Sequence, residues 1–328
     1  MDKIKIGLIG LGVMGNNHLN TLKTIPEVSI LGVCDQIKLS DSPSIVCYGK
    51  TEELLEKNPD GIIIATPTST HKNIALSCLK KNIPVLIEKP VASTAKEAKE
   101  ILSLLEKKET TASAYVGYIE RFNPAIEAIK KEIQSSDIVK ILITRTGPYP
   151  SRITDVGILC DLAVHDLDLL RYVCEDEFES HTIYTTQTIH TYEDSAFVSG
   201  KMSRGAIVSI STSWLSPIRK RHMDIYTKDH LYQVDLLNKK VWKQSLDEVT
   251  QKAQTKELMF STKQALKSQL SNWLKFLQNK SPCRLASVSD SLKTLEIIET
   301  NSHKKTRKDS PLTKKESTIA SEPENYLF

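Results

Sequence analysis

Gly10, Gly12 and Gly15 stand directly behind an apolar stretch, Ile4 to Ile9, close to the start of the chain. Few folds accommodate that pattern. A strand that runs into G-x-G-x-x-G and then into a helical stretch, Val13 to Thr24, opens a βαβ unit whose first turn is tight. Gly10 allows the turn, Gly12 lets a diphosphate approach the backbone, and Gly15 lets helix and strand pack closely. The helix start at Val13 and Met14 offers free N–H groups to an anion. The motif alone is a weak signal, and its place between a strand and a helix gives it weight.

The first third continues in the same rhythm. Short apolar runs at Val28 to Cys34, Gly61 to Ala65, Val85 to Ile87 and Ser113 to Val116 alternate with helical stretches at His71 to Lys81 and Ala95 to Lys107. Strands that are apolar throughout are buried on both faces, which predicts a doubly wound parallel sheet covered by helices. Asp35 ends the second strand, twenty residues after Gly15. A carboxylate there accepts from both ribose hydroxyls and repels a 2′-phosphate, so NAD is expected over NADP. Lys38 follows closely and softens that discrimination.

Two further loops lie at strand ends, where open α/β sheets bind ligands. One is Ala65-Thr66-Pro67-Thr68-Ser69-Thr70-His71, in which Ser69 or Thr70 is expected to cap the next helix. The other is Glu88-Lys89-Pro90, in which the proline presents the lysine from an extended turn. From about Arg121 the pattern changes. A helix opened by Asn123-Pro124 precedes a strand at Val139 to Thr146. Period-two segments follow at His181 to His190, Ala206 to Ser213, Met223 to Thr227 and Leu231 to Leu236, which predicts an open, mostly antiparallel sheet. Its alternate Ser and Thr residues give it one polar face, fit for substrate or another subunit. Helices are expected at Leu266 to Gln278 and Val288 to Ser302. The expected division is a Rossmann domain over 1–120, an α+β substrate domain over 121–303 and a disordered tail over 304–328.

In the second part, Asp161 and His165 sit at helical i and i+4 spacing, with Asp168 near the same face. Such a pair on a helix is more often a surface pair. A carboxylate beside a histidine also raises its basicity, and a histidine titrating near neutrality suits removal of an alcohol proton.

Composition excludes several classes. Lys and Arg number 44 against 40 Asp and Glu, a net charge of +4, which is too balanced for a nucleic-acid binder on charge alone. No stretch approaches the ~20 apolar residues of a membrane span, and the first apolar run is too short for a secretory signal. Six cysteines without C-x-x-C spacing read as small buried hydrophobes, with no metal site. A cytoplasmic location is expected.

Taken together, Gly10-x-Gly12-x-x-Gly15, Asp35, Thr66-Pro67…His71, Glu88-Lys89-Pro90 and Asp161-x-x-x-His165 resemble the glucose-fructose oxidoreductase, inositol dehydrogenase and rhizopine catabolism protein family over about residues 4–303. The resemblance implies a Rossmann domain followed by an open-faced α/β domain, and oxidation or reduction of a secondary alcohol of a sugar or cyclitol. It implies that Lys89 contacts the reacting hydroxyl and the nicotinamide ribose, that His165 is the general acid/base, and that Asp161 assists it or binds substrate. Within the family, Val116-Gly117-Tyr118-Ile119-Glu120-Arg121-Phe122-Asn123-Pro124, Arg145-Thr146-Gly147-Pro148…Arg152…Asp155-Val156-Gly157 and Trp214-Leu215-Ser216-Pro217…Arg221 are similar to UDP-N-acetylglucosamine 3-dehydrogenases. These make a 3-keto sugar nucleotide for an aminotransferase. These dehydrogenases usually have His where this chain has Tyr118.

The resemblance places the dinucleotide on Gly10, Gly12, Val13, Met14, Gly15, Asp35, Thr66, Pro67, Thr68, His71, Glu88 and Lys89. It places the substrate on Tyr118, Arg121, Asn123, Arg152, Asp161 and His165. Arg145, Arg152, Arg219, Lys220 and Arg221 are candidate cations for a UDP diphosphate. The alternatives are an inositol or free-sugar dehydrogenase and a non-catalytic NAD-sensing regulator. A homodimer or homotetramer is expected.

Overall fold

The computed structural model describes residues 3–35, 45–107, 109–150, 153, 156–279 and 281–300. Lys38, Arg152, Asp155 and the 304–328 tail therefore lie outside the described residues. The chain begins as β1 (Ile4–Ile9), α1 (Val13–Lys23), β2 (Val28–Cys34), β3 (Cys47–Tyr48), α2 (Thr51–Leu55), β4 (Gly61–Ile64), α3 (Thr68–Lys80), β5 (Val85–Ile87), α4 (Ala95–Glu106) and β6 (Ala114–Val116). These six strands pair in parallel, with β1 at the centre between β2 and β4. The doubly wound sheet follows from side chains that are buried on both faces: Ile6, Leu8, Ile62, Ile63 and Ile64 are all fully buried. Asn82 takes a left-handed φ of 59° just past the end of α3, the backbone that stops a helix there.

Then come α5 (Pro124–Glu132), β7 (Ile138–Pro148), a π turn (Leu159–Ala163), α6 (Val164–Cys174), β8 (Phe178–Thr186), β9 (Ser195–Met202), β10 (Ile207–Ser213), β11 (Leu215–Thr227), β12 (Leu231–Asp235), β13 (Lys240–Leu246) and β14 (Ala253–Glu257). The second sheet has the order β14-β13-β12-β11-β7-β10-β9-β8. All its pairs are antiparallel except β10 with β7. On β10, Val208, Ile210 and Thr212 are buried and the serines between them lie on the other side. That outer face is not wholly polar, because Tyr184 and Phe197 pair across β8 and β9 and stay exposed.

The chain then returns to the first sheet. After α7 (Ala265–Leu277), β15 (Ala286–Ser287) pairs antiparallel with β6, and α8 (Val288–Glu299) follows. Trp273 of α7 is fully buried among Ile4, Ile6, Leu8 and Ile63 of the first sheet. Of the segments grouped by sequence with the second domain, α7 and β15 thus pack on the first sheet, while α8 lies against both α4 and α6. Among the described residues, no helix is long and apolar enough to cross a membrane.

Candidate active site

The glycine loop is shaped by contacts, and each glycine acts differently. Gly10 has φ +94°, and a Cβ there would lie 2.5 Å from the Ala65 carbonyl oxygen. A Cβ on Gly15 would lie 2.0 Å from the Gly10 carbonyl oxygen. At Gly12 a Cβ would meet nothing within 4 Å, so the space in front of it is open. Gly12 caps α1 with no side-chain bond, and the first turn, where Val13 is exposed and Met14 half-buried, carries no acid. Open N–H groups, a positive helix end and clear space together fit a dinucleotide diphosphate. Asp35 Oδ2 accepts from the Leu11 N–H at 2.6 Å, so the carboxylate stands at the edge of the same loop.

The loop after β4 begins its helix earlier than expected. Pro67 is the N-cap, Thr68 is the first helical residue, and no side chain caps the helix. The expected cap by Ser69 or Thr70 is not formed; the Thr70 hydroxyl donates instead to the Pro67 carbonyl at 2.8 Å. Thr66 and Thr68 are half-buried at this sheet end. His71 is buried and turns inward to the Thr66 and Pro90 carbonyls.

Lys89 follows β5 and reaches across to the π turn. Its Nζ donates to the Asp161 carbonyl at 2.8 Å and to Asp161 Oδ1 at 3.3 Å. Asp161 is buried in the π turn, and His165 follows one turn later in α6. The expected Asp161–His165 pair is corrected here. The Asp161 carboxylate is spent on Lys89, in a turn wider than the α geometry that the i, i+4 spacing assumes. His165 Nδ1 is buried and has no hydrogen-bond partner among the described residues. The pKa of His165 is therefore not raised but pushed well below the usual histidine value, first by burial and then by Lys89, Arg145 and Arg221. At neutral pH the ring is uncharged, in a site ringed by cations.

Several expected substrate residues are committed elsewhere. Arg121 grips Asp168 through Nε at 2.8 Å and Nη2 at 2.6 Å, both side chains being buried. Asn123 accepts from the Ala125 N–H at the start of α5 and donates to the Leu236 carbonyl at 3.0 Å. Tyr118 is buried with its hydroxyl 3.1 Å from Ser291 Oγ, while its ring meets His165 edge-on at 6.3 Å between centroids. Arg145 is buried, bonds Asp166 at 2.7 Å and reaches Glu120 at 3.3 Å, and so is closed to a diphosphate. Burial pushes the Glu120 carboxyl up, but Arg145 and Arg221 outweigh it and hold it low. Arg219 and Lys220 are exposed and remain open to an anionic ligand, while Arg221 is half-buried with Nη1 donating to Glu120 Oε1 at 3.3 Å.

Sequence reasoning missed His18, which is fully buried on α1 with Nε2 2.7 Å from Glu88 Oε1. Its signal was the stripe Gly15, His18, Leu19, Leu22, the inward face of a helix at three- and four-residue spacing. Among the described residues, no three His, Cys, Asp or Glu side chains gather to hold a metal ion.

Comparison with known proteins bears on the family and the fold. Residues 4–117 match the family model described as oxidoreductase family, NAD-binding Rossmann fold, and residues 139–231 match the GFO/IDH/MocA C-terminal domain. Inositol 2-dehydrogenase 2 of Saccharopolyspora erythraea is 24% identical over 223 residues, covering 63% of this chain and 66% of that protein. The rhizopine catabolism protein MocA of Rhizobium meliloti is 26% identical over 200 residues, covering 57% of this chain and 62% of its own length. The chain thus spans less than two thirds of these two relatives. UDP-N-acetylglucosamine 3-dehydrogenase of Acidithiobacillus ferrooxidans is 24% identical over 243 residues, covering 73% of this chain and 76% of that one. A solved structure of the same Acidithiobacillus enzyme superposes with TM-score 0.80 at 21% identity, covering 92% of this chain and 97% of the other.

Proposed function

The chain belongs to the GFO/IDH/MocA oxidoreductase family, and from that premise we propose that it oxidises the 3-hydroxyl of a UDP-N-acetylhexosamine, UDP-N-acetylglucosamine, to a 3-keto sugar nucleotide with NAD. The observation that carries this reading is one arrangement. The Lys89 amine is held at the Asp161 turn, His165 lies one turn on, and Lys89 and Arg221 are both near enough to act on its charge.

A bound nicotinamide supplies the hydride acceptor when the dinucleotide lies along the glycine loop. The open N–H groups at the start of α1 bind its diphosphate. Asp35, beside Leu11, accepts from the ribose hydroxyls and disfavours a 2′-phosphate, so NAD is the cofactor. The Lys89 amine donates to the reacting hydroxyl oxygen and steadies the negative charge that grows there. His165 Nε2 takes the hydroxyl proton as the hydride leaves the carbon, which makes the ring an imidazolium. Asp161 holds the Lys89 amine in place. Arg219, Lys220 and Arg221 attract the diphosphate of the sugar nucleotide, whose charge offsets the cations that depress His165.

The product is a ketone that an aminotransferase can convert to an amino sugar. Self-association as a homodimer or homotetramer would use the outer face of the second sheet, where Tyr184 and Phe197 are exposed.

The second reading, an inositol dehydrogenase, is favoured by the name of the Saccharopolyspora relative. One assay separates the two. Purified protein is incubated with NAD and UDP-N-acetylglucosamine, myo-inositol or free N-acetylglucosamine, with a carbonyl-trapping amine to draw the reaction forward. NADH formed with the sugar nucleotide alone supports the proposal. NADH formed only with inositol selects the second reading, and NADH with none of them removes both in favour of a cofactor sensor.

A further inference from the structure

Two histidines that the proposed chemistry leaves unused are buried against the segment that carries Lys89. His18 comes from α1, the helix whose N-terminus receives the diphosphate, and its Nε2 is 2.7 Å from Glu88 Oε1. Glu88 is only 8% exposed, and its carboxylate accepts the ring's N–H. The pocket for that carboxylate depends on Gly117, where a Cβ would come within 3.1 Å of Glu88 Oε1.

On the other flank, His71 of α3 stands between two carbonyl oxygens, with Nδ1 2.9 Å from Pro90 and Nε2 2.9 Å from Thr66. A neutral ring donates to one of them and an imidazolium to both. With the proton on His71 Nδ1, residues 88 and 90 are each tied to a buried ring. Lys89, between them, sends its amine out to Asp161.

We propose that His18 and His71 are positioning residues for Lys89: His18 ties Glu88 to the dinucleotide helix, and His71 ties Pro90 to the loop after β4. The proposal rests on the reading that Lys89 meets the reacting hydroxyl. A lysine has a long flexible stem, so the backbone beneath it must be fixed if the amine is to land on one atom. A misplacement of about 1 Å costs on the order of 10²-fold in rate. The same struts make the diphosphate seat and the amine parts of one rigid body.

The test compares His18→Leu and His71→Leu with His18→Gln and His71→Asn. Glutamine places an amide N–H near Nε2 of His18, asparagine places one near Nδ1 of His71, and the leucines place none. Three quantities are read: the rate at which an amine-acylating reagent modifies Lys89 in the free protein, followed by peptide mass spectrometry; the affinity for NADH; and kcat and KM for UDP-N-acetylglucosamine. The proposal expects the leucine variants to acylate Lys89 several times faster and to lose about 10²-fold in kcat, with KM and NADH affinity held. It expects the amide variants to recover most of both. Unchanged acylation of Lys89 in the leucine variants overturns it, as does a loss of kcat that the amides do not relieve.

Gly117→Ala displaces Glu88 by a few tenths of an ångström and serves where a leucine variant does not fold. It should show the same pattern in milder form, and acylation equal to wild type would count against the proposal. Should the wild-type protein turn over no substrate, the functional reading fails by itself, and the acylation rates still decide whether the two rings hold Lys89.

Discussion

Replacing Gly12 and Gly15 by alanine in turn separates ligand recognition from folding within one loop. At Gly12 the new methyl enters empty space, and the backbone there, φ −63° and ψ −167°, is open to any residue. Alanine is a poorer N-cap than glycine by somewhat under 1 kcal/mol, while the lower entropy of the unfolded chain returns about 0.4–1 kcal/mol. The two nearly cancel, so the free protein should unfold at close to its wild-type temperature. The same methyl stands where a diphosphate approaches the helix. Losing two charge-assisted hydrogen bonds at about 1.5 kcal/mol each removes about 3 kcal/mol, or more than 10²-fold in affinity.

At Gly15 the methyl would sit 2.0 Å from a backbone oxygen that cannot swing aside, so helix and strand must separate. That variant should be insoluble or markedly less stable. Thermal unfolding of the free proteins and NADH titration by fluorescence read the two effects. Wild-type NADH affinity in Gly12→Ala would refute the placing of the diphosphate. A large loss of stability in that variant would refute the claim that the space is empty.

Other perturbations follow from the same contacts. Asp35→Asn keeps an oxygen for the Leu11 N–H but removes the charge, so the preference for NADH over NADPH should shrink in parallel titrations; an unchanged ratio would remove Asp35 from cofactor choice. Arg145→Met strands two buried carboxylates, Asp166 and Glu120, and should cost about 3–5 kcal/mol in urea unfolding, where a change under 1 kcal/mol would show the pair to be dispensable. His165 has a folded-state pKa below its unfolded value of 6.5, so in the window beneath pH 6.5 the unfolded chain takes up the proton first. Stability should therefore be greatest above that pH and fall on acidification, by up to about 1.4 kcal/mol per pH unit from this ring, and His165→Asn should flatten the slope.

The first sheet was legible because its strands are buried on both faces. Val85–Ile87 reads as an apolar run, as do Ile4–Ile9, broken only by Lys5 and Gly7, and Val28–Cys34, broken by Ser29 and Gly32, and the structure gives them the same bounds. The glycine loop was legible because its spacing carries its own geometry. β14 was not, since Ala253–Glu257 is exposed throughout and shows no apolar alternation; its ladder with β13 makes it a strand. The return of Ala286–Ser287 to the first sheet depends on a partner at Tyr115 and Val116, far away in the chain.

Within the site, an arginine reads the same whether it faces a diphosphate or a buried carboxylate. The partners that decided the matter, Asp168 for Arg121 and Asp166 for Arg145, are 47 and 21 residues away. The Asp161–His165 reading assumed an α-helix, and the π turn that breaks this assumption leaves no mark in residue type.

The central claim is that Lys89 and His165 act on one carbon of a sugar nucleotide beside a bound dinucleotide. UDP-N-acetylglucosamine carrying deuterium at C3 tests it most directly, with the reduced cofactor analysed by mass spectrometry. Deuterium should pass to the reduced cofactor with the wild-type protein, and His165→Asn should slow the transfer by about 10²–10⁴-fold while still binding NADH. Reduced cofactor that carries no deuterium, or transfer at an undiminished rate without the imidazole, would contradict the account.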